Sequence, residues 1–431
     1  MHGVGAAMAT TAAHADQPHV VFFPLPAQGH LTPALQLAKL LHHCLGFQIT
    51  FIHTEHNRRR LLRSRGPGAL AGVPGFRFAV VPDGLQLPSS EPDALEEMVA
   101  MLFSLETFVP HFRDLVSELP PVTHVVSDIE QILRSSKEMG LRSVALCTIS
   151  ACGFMAFQQC QQLVDRGIIP LKDTEQLWNG YLDSTLVDWV PGMPKDMRLR
   201  DFPSFIRTME HDDVFLSMML RLMECHRTIP SAVIFHTFDE LESQVMAAMS
   251  AILPPSYVVG PLPLLLKQVT AAGSASDRLG SNLLKENHSC MEWLAGKRPN
   301  SVVYVSFGSI AALASEQLLE FAWGLANSGH EFLWVLRVEE VKGGHAAAAL
   351  PLPPEFWEET RARSHVASWC PQEEVLQHEV KTAIGETMKG DKGKEMKRMA
   401  TKWKEKATAA ALPGGPSWVN LEKLVNEVFF V

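Results

Sequence analysis

The run His19-Val-Val-Phe-Phe-Pro-Leu-Pro-Ala-Gln-Gly-His-Leu-Thr-Pro-Ala-Leu-Gln-Leu-Ala-Lys-Leu-Leu41 decides the fold class. Val20 to Phe23 is apolar without alternation, as in a strand buried on both faces. A short loop, Ala27 to Leu31, follows the strand segment His19–Pro26. Thr32 as N-cap and Pro33 at the first helical position predict a helix start there. Leu35, Leu37, Ala38, Leu40 and Leu41 then give that helix a buried face. A buried strand feeding a helix through a short loop is the repeating unit of a parallel sheet with crossover helices.

The same form recurs outward along the chain. Strands are predicted at Phe47–His53, Phe76–Val81, Val122–Ser127 (ending at Asp128), Ser143–Thr148 and Ala232–His236. Together they predict one doubly wound α/β domain over residues 18–260, after a tail of residues 1–17. Between Pro254 and Asn287 the composition shifts to Pro, Gly, Ser and Ala, which reads as an interdomain linker, bounded at 261–288. The pattern restarts at Ser301-Val-Val-Tyr-Val-Ser-Phe307, with a loop at Gly308-Ser309 and a helix from Ser315. Glu331–Val338 and His365–Trp369 read as two more strands. This second domain, 289–412, therefore has three strands where a doubly wound domain usually has five or six. Its sequence is charged and helical from Glu379. Residues 413–431 end in a helix, Val419–Phe430, expected to pack back on the first domain.

The length, 431 residues, suits two domains. Hydrophobic residues at 46% and charged residues at 20% exclude disordered, collagenous and coiled-coil chains. The formal charge of −9 is spread without blocks apart from a short lysine-rich stretch near the C-terminus, so no nucleic-acid partner is expected. Cys44, Cys147, Cys152, Cys160, Cys225, Cys290 and Cys370 form an odd, scattered set with no CxxC pair. They indicate neither a disulfide framework nor a zinc site, and a reducing, cytoplasmic setting is expected. The N-terminus has no basic and apolar signal pattern. The longest apolar stretch, Val144–Phe157, is broken by Thr148, Ser150 and Gly153 and falls short of the ~18 residues of a membrane span.

Two groups sit where open α/β sheets bind ligands, beyond the carboxyl ends of strands. His30 could serve as a general base with Asp128 fixing its tautomer, or be a loop histidine beside a helix-capping aspartate. Ser306-Phe-Gly-Ser309 could cradle a phosphate at a helix start or be an ordinary tight turn. Trp369-Cys-Pro-Gln372 offers a ring for base stacking and an amide for a ribose hydroxyl, or a core tryptophan. Gly3-Val-Gly5 precedes the first strand and so is no dinucleotide fingerprint. Walker, HExxH and GxSxG motifs are absent.

Several long segments together resemble the plant-type UDP-sugar-dependent glycosyltransferases of family 1. They are HVVFFPLPAQGHLTPALQLAKLL, VPGMPKDMRLRDFPSFIR, FHTFDELE, YVVGPL, CMEWLAGKRPNSVVYVSFGSIAALASEQLLEFAWGLANSGHEFLWVLR, VASWCPQEEVLQH, KGKEMKRMATKWKEKA and LPGGPSWVNLEKLVNEV. The resemblance implies a GT-B architecture, two Rossmann-like domains facing a cleft, the second one shortened. It implies transfer of glucose from UDP-glucose to a hydroxyl of a small molecule, with inversion. His30 matches the family's catalytic base and Asp128 the residue that holds it. Thr148, Ser306, Gly308, Ser309, Trp369, Cys370 and Gln372 match donor-side positions, and Gln28 and Gly29 are expected beside the acceptor. No metal and no cofactor are implied, UDP-glucose being a substrate, and a monomer is expected. The similarity looks closest to members that glucosylate cyanohydrins, cytokinins or terpenoid alcohols.

The chain departs from the family pattern at two places. After Gln377-His378-Glu379, the expected HCGWNS helix start and the later acidic-glutamine pair are missing, and VKTAIGETMKGDKGKEM follows directly. With them go residues that bind the diphosphate, the ribose and glucose, so the alternative expectation is a catalytically silent member that at most binds an acceptor or partner. The second departure is Ile129–Lys137 (IEQILRSSK), where the family has a more apolar, aromatic-containing helix.

Overall fold

The computed structural model describes residues 17–85, 94–270, 278–299, 301–311, 313–337, 350, 352–377 and 391–431. The first domain is built on a seven-stranded parallel sheet: β1 (His19–Phe23), β2 (Gln48–Thr54), β3 (Phe76–Val81), β4 (His124–Ser127), β5 (Arg142–Cys147), β6 (Ala232–Phe235) and β7 (Ser256–Val258). Their order, β3-β2-β1-β4-β5-β6-β7, reverses direction at β1. Val20 aligns with Ile49 on one side and His124 on the other. At this switch point the connections leaving β1 and β4 run to opposite faces of the sheet, the place where open α/β sheets bind ligands.

Helices cover both faces of the sheet. Helix Gln28–Leu45 buries Leu31, Leu35, Leu37, Ala38 and Leu41 against Phe22, Phe47 and Phe51. Phe23, Phe108, Phe112 and Ile132 form the cluster on the opposite face. The C-terminal helix, Pro416–Leu424, and the turn Val425–Phe429 pack on the first domain. Trp418, Leu421, Leu424 and Phe429 enter the cluster around Phe47. The Val428 carbonyl accepts from His124 Nε2 at 2.9 Å, and Tyr257 Oη donates to Glu427 at 2.8 Å.

Three expectations are corrected. Helix Gln28–Leu45 starts a full turn before Thr32, with Ala27 as N-cap and Pro33 inside. That first turn forms at the loss of one ladder bond, because Pro33 has no N–H for the Gly29 carbonyl. Strand β7 lies within the stretch read compositionally as linker; its three residues are too few to show a pattern among Pro254, Pro255 and Gly260. Helix Leu262–Val269 likewise belongs to the first domain, since Leu262 and Leu265 are fully buried in its core.

In the second domain β8 (Val302–Ser306), β9 (Glu331–Val335) and β10 (Ser364–Ala367) form a parallel sheet of order β10-β9-β8. Val303, Phe332 and Trp334 pack on helices Ser315–Asn327 and Pro354–Thr360 on one face. Val302, Tyr304 and Leu333 pack on Cys290, Leu294 and Val375 on the other. The junction at His378 and Glu379 lies outside the described residues.

Candidate active site

His30 stands in the first turn of helix Gln28–Leu45, and its Nδ1 meets the Asp128 carboxylate just beyond β4. The other Asp128 oxygen accepts the Leu25 backbone N–H at 2.7 Å, so the end of β1 aims the carboxylate at the ring. Ser127 Oγ helps by donating to the Phe23 carbonyl at 2.6 Å and accepting Ile129 N–H at 3.1 Å. Asp128 is not a helix cap: the N-cap of helix Glu130–Glu138 is Ile129. Because a carboxylate only accepts, Nδ1 carries the hydrogen and Nε2 keeps a lone pair. The His30 side chain is 28% exposed and that of Asp128 9%, so the ring is reachable while its partner is shielded.

Thr148, at the end of β5, places Oγ1 3.2 Å from His30 Nδ1. The loop carrying it is fixed by the next helix, Ala151–Gln158, whose first N–H groups are capped from two sides. Ser150 Oγ accepts from Gly153, and Glu242 accepts from Ala151 at 3.0 Å and Cys152 at 2.8 Å. Glu242 belongs to the FHTFDELE segment, which gives that landmark a structural task the sequence reading did not assign. Burial pushes its carboxyl up, but the neighbouring Thr237 hydroxyl and those amide bonds together hold it below the ordinary range.

His30, Asp128 and Thr148 border an apolar pocket of about 360 Å³. Phe154, Phe157, Phe205, Phe215, Met219 and Met223 form much of its wall. A wider cleft of about 590 Å³ lies between the two domains. Pro26, Gln28, Asn57, Arg59, Arg63 and Glu97 line it from the first domain, and Ser309, Ile310 and Arg337 from the second. Met98 borders both spaces. Asn57, another residue the sequence reading passed over, is buried and donates to the Pro26 carbonyl at 2.8 Å, holding the loop before His30. Thr54 capping the next helix through Asn57 N–H is the sequence signal that could have found it.

The remaining expected residues fall as follows. Gln28 borders the cleft and is absent from the lining of the apolar pocket. Its amide accepts Leu283 N–H at 2.8 Å and donates to Thr32 Oγ1 at 2.9 Å and the Ser281 carbonyl at 3.2 Å. Gly29 lines neither space. Ser309 faces the cleft, its carbonyl accepting from Arg337 at 3.1 Å. Gly308 has φ +82°, the left-handed conformation a glycine adopts freely, and its N–H donates to Ser306 Oγ. Trp369 is half-buried with the Arg337 guanidinium 5.6 Å from its ring centroid. Cys370 is buried against Tyr304, and burial pushes its thiol up to about 11. Gln372 is exposed at the start of a short helix. Ser306, Gly308, Trp369, Cys370 and Gln372 are not among the residues lining the cleft. Among the described residues no cluster of three or more His, Cys, Asp and Glu is placed to hold a metal, and no helix is long and apolar enough to cross a membrane.

Residues 196–389 match the family model described as UDP-glucoronosyl and UDP-glucosyl transferase. Over 95% of this chain and 98% of the relative, the sequence is 42% identical to 7-deoxyloganetin glucosyltransferase of Gardenia jasminoides. The chain belongs to the UDP-glycosyltransferase family. It is also 40% identical to (R)-mandelonitrile beta-glucosyltransferase of Prunus dulcis, over 96% of this chain and 97% of that one. In structure, this glycosyltransferase is similar to a UDP-glucosyltransferase from Polygonum tinctorium, with a TM-score of 0.72 at 21% identity over 96% and 99% of the two chains. The fold is GT-B. Relatives matched over nearly their whole length lend no support to a silent, binding-only member. The alignment with the Gardenia enzyme spans 481 positions, more than the 431 residues of this glycosyltransferase, so the relative carries residues without counterpart here.

Proposed function

We propose that this protein transfers glucose from UDP-glucose to a hydroxyl of a small apolar plant metabolite, with inversion at the anomeric carbon. The observation that carries the reading is the His30–Asp128 pair at the edge of the apolar pocket. The acceptor's apolar body occupies that pocket and brings its hydroxyl to His30 Nε2. As bond formation proceeds, Nε2 takes the hydroxyl proton and the acceptor oxygen attacks the anomeric carbon from the face opposite UDP. Asp128 stabilises the imidazolium that forms and keeps the ring in the productive tautomer. UDP leaves with the bonding electron pair of the broken C–O bond, and no metal or cofactor takes part. Thr148, beside the reacting centre, is assigned to the sugar, and Ser309 in the cleft to the diphosphate.

The acceptor class follows from the lining, rich in phenylalanine and methionine, which suits flat or alicyclic alcohols. The two relatives named for 7-deoxyloganetin and mandelonitrile point the same way. All proposed catalytic groups come from one chain, which supports a working monomer, and seven free thiols support a cytosolic setting. The test is incubation with UDP-glucose and an aromatic alcohol, followed by proton NMR of the product. A β-glucoside is expected. Hydrolysis of UDP-glucose without glucoside would exclude the acceptor role of the pocket.

A further inference from the structure

Arg337, to which the sequence reading gave no role, leaves the sheet of the second domain just after β9. The ladder runs one residue past that strand, Leu336 N–H donating to the Ala367 carbonyl at 2.9 Å. Arg337 therefore emerges at the carboxyl edge, where open α/β sheets take ligands. The side chain is only 7% exposed and lines the cleft. Arg59, Arg63 and Lys285 of the same lining are exposed.

A guanidinium is kept out of water only where it is well held. Nη2 of Arg337 donates to the Ser309 carbonyl at 3.1 Å, and the guanidinium carbon lies 5.6 Å from the Trp369 ring centroid. Its charge also reaches across the cleft to Glu97 of the first domain. Burial pushes the Glu97 carboxyl up, but the His56 hydrogen bond and the charges of Arg60, His56 and Arg337 together hold it below the ordinary range. Glu97 is already met in its own domain by His56 Nε2 at 3.0 Å and by Arg60, so Arg337 is not required to balance it. A fixed positive charge thus faces the cleft between Trp369, a ring on which a base can stack, and the Ser309 loop.

We propose that Arg337 binds the diphosphate of the UDP-sugar, its planar fork engaging phosphate oxygens beside Ser309 while its face supports the Trp369 ring. This rests on the reading of the cleft as the donor site. A guanidinium fork matches phosphate oxygens two at a time. Because Arg337 is already immobilised, it loses little further freedom on binding, whereas the exposed cations of the lining must be ordered and are screened by salt.

The test is an NMR titration of the full chain with uridine and with UDP, repeated on Arg337→Gln. UDP should bind the unaltered chain about 10-fold more tightly than uridine, a margin of about 1.4 kcal/mol that isolates the diphosphate. In Arg337→Gln the margin should shrink to about twofold, the share left to exposed cations, while uridine keeps its affinity. Arg337→Lys should retain part of the margin. A thermal melt confirms that the variants fold, and Arg337→Met serves in place of the glutamine variant if that one does not. Equal weakening of uridine and UDP would show that Arg337 only props Trp369, and an unchanged margin would give the diphosphate to other groups. Either result overturns the proposal while leaving the donor site standing. If neither ligand binds the unaltered chain, the donor reading of the cleft and the role of Arg337 fall together.

Discussion

His30 Nδ1 and the Asp128 carboxylate, 98 positions apart in sequence, are hydrogen-bonded across the switch point of the larger sheet. The contact depends on the backbone at the ends of β1 and β4, since Leu25 N–H holds the carboxylate that holds the ring. The shape is therefore set by strand ends and the chemistry by two side chains.

Asp128→Asn should preserve the fold and remove most of the transfer. An asparagine amide can donate to Nδ1, which drives the ring hydrogen onto Nε2 and abolishes the base. A fall in kcat of about 10²- to 10⁴-fold is expected. Steady-state rates over a pH range check it, and a kcat within threefold of the unaltered protein would show that Asp128 is dispensable.

UDP should bind weakly. Trp369 can stack a base for about 1 to 3 kcal/mol, but the HCGWNS helix start that the family sets against the diphosphate is missing from this sequence. A dissociation constant weaker than about 0.1 mM is predicted, since stacking alone falls well short of the ~8 kcal/mol of a micromolar complex. Calorimetric titration decides, and micromolar binding would mean that the arginines of the cleft or other groups have rebuilt the site.

Stability should fall as the pH drops from 7 towards 4. Burial lowers the pKa of His124 and His236 to about 4 and that of His53 to about 3, against about 6.5 unfolded. Between those values the unfolded chain binds more protons, so the contribution of these groups is complete above pH 6.5 and is lost on acidification. Each steepens the dependence by about 1.4 kcal/mol per pH unit. Glu97 and Glu242, lowered by their partners, act in the same sense at lower pH, while Glu286, raised by burial, opposes them. Urea midpoints at pH 7.5, 6 and 5 test the sign, and a flat or rising series would refute it.

Among the described residues β8 and β10 are both edges of the second sheet. Three strands read from sequence without an order suggest that the last, His365–Trp369, has lost its neighbour. The order β10-β9-β8 instead puts β10 where β3 sits in the larger sheet, at a natural edge. In that larger sheet the first strand, β1, has a neighbour on both sides. Among the described residues β8 pairs only with β9, leaving an edge that invites intermolecular pairing. Amide exchange across Val302–Ser306 should therefore be faster than across His19–Phe23, and equal protection would show that another segment covers the edge.

Fold and site were legible to different depths. Buried parallel strands announce themselves as apolar runs, so Ala232–His236 was readable to within a residue of β6, all of it buried, whereas β7 was too short and too close to prolines to register. The Thr32–Pro33 pair misled because proline marks helix starts statistically, while here a preceding turn could form ahead of it. His30 and Asp128 were visible as strand-end residues, but spacing could not separate a catalytic pair from a loop histidine and a cap. Their meeting is a property of sheet order, which a sequence carries only implicitly. The task of Glu242 was invisible for a related reason, since it acts through Ala151 and Cys152, distant in sequence.

The most direct test compares UDP-glucose-dependent glucosylation of an apolar aromatic alcohol by the unaltered protein and by His30→Ala at saturating donor. The account predicts β-glucoside from the former and a rate at least about 10²-fold lower from the latter, with unchanged circular dichroism and acceptor binding. Glucoside formed at comparable rates by both proteins would contradict it.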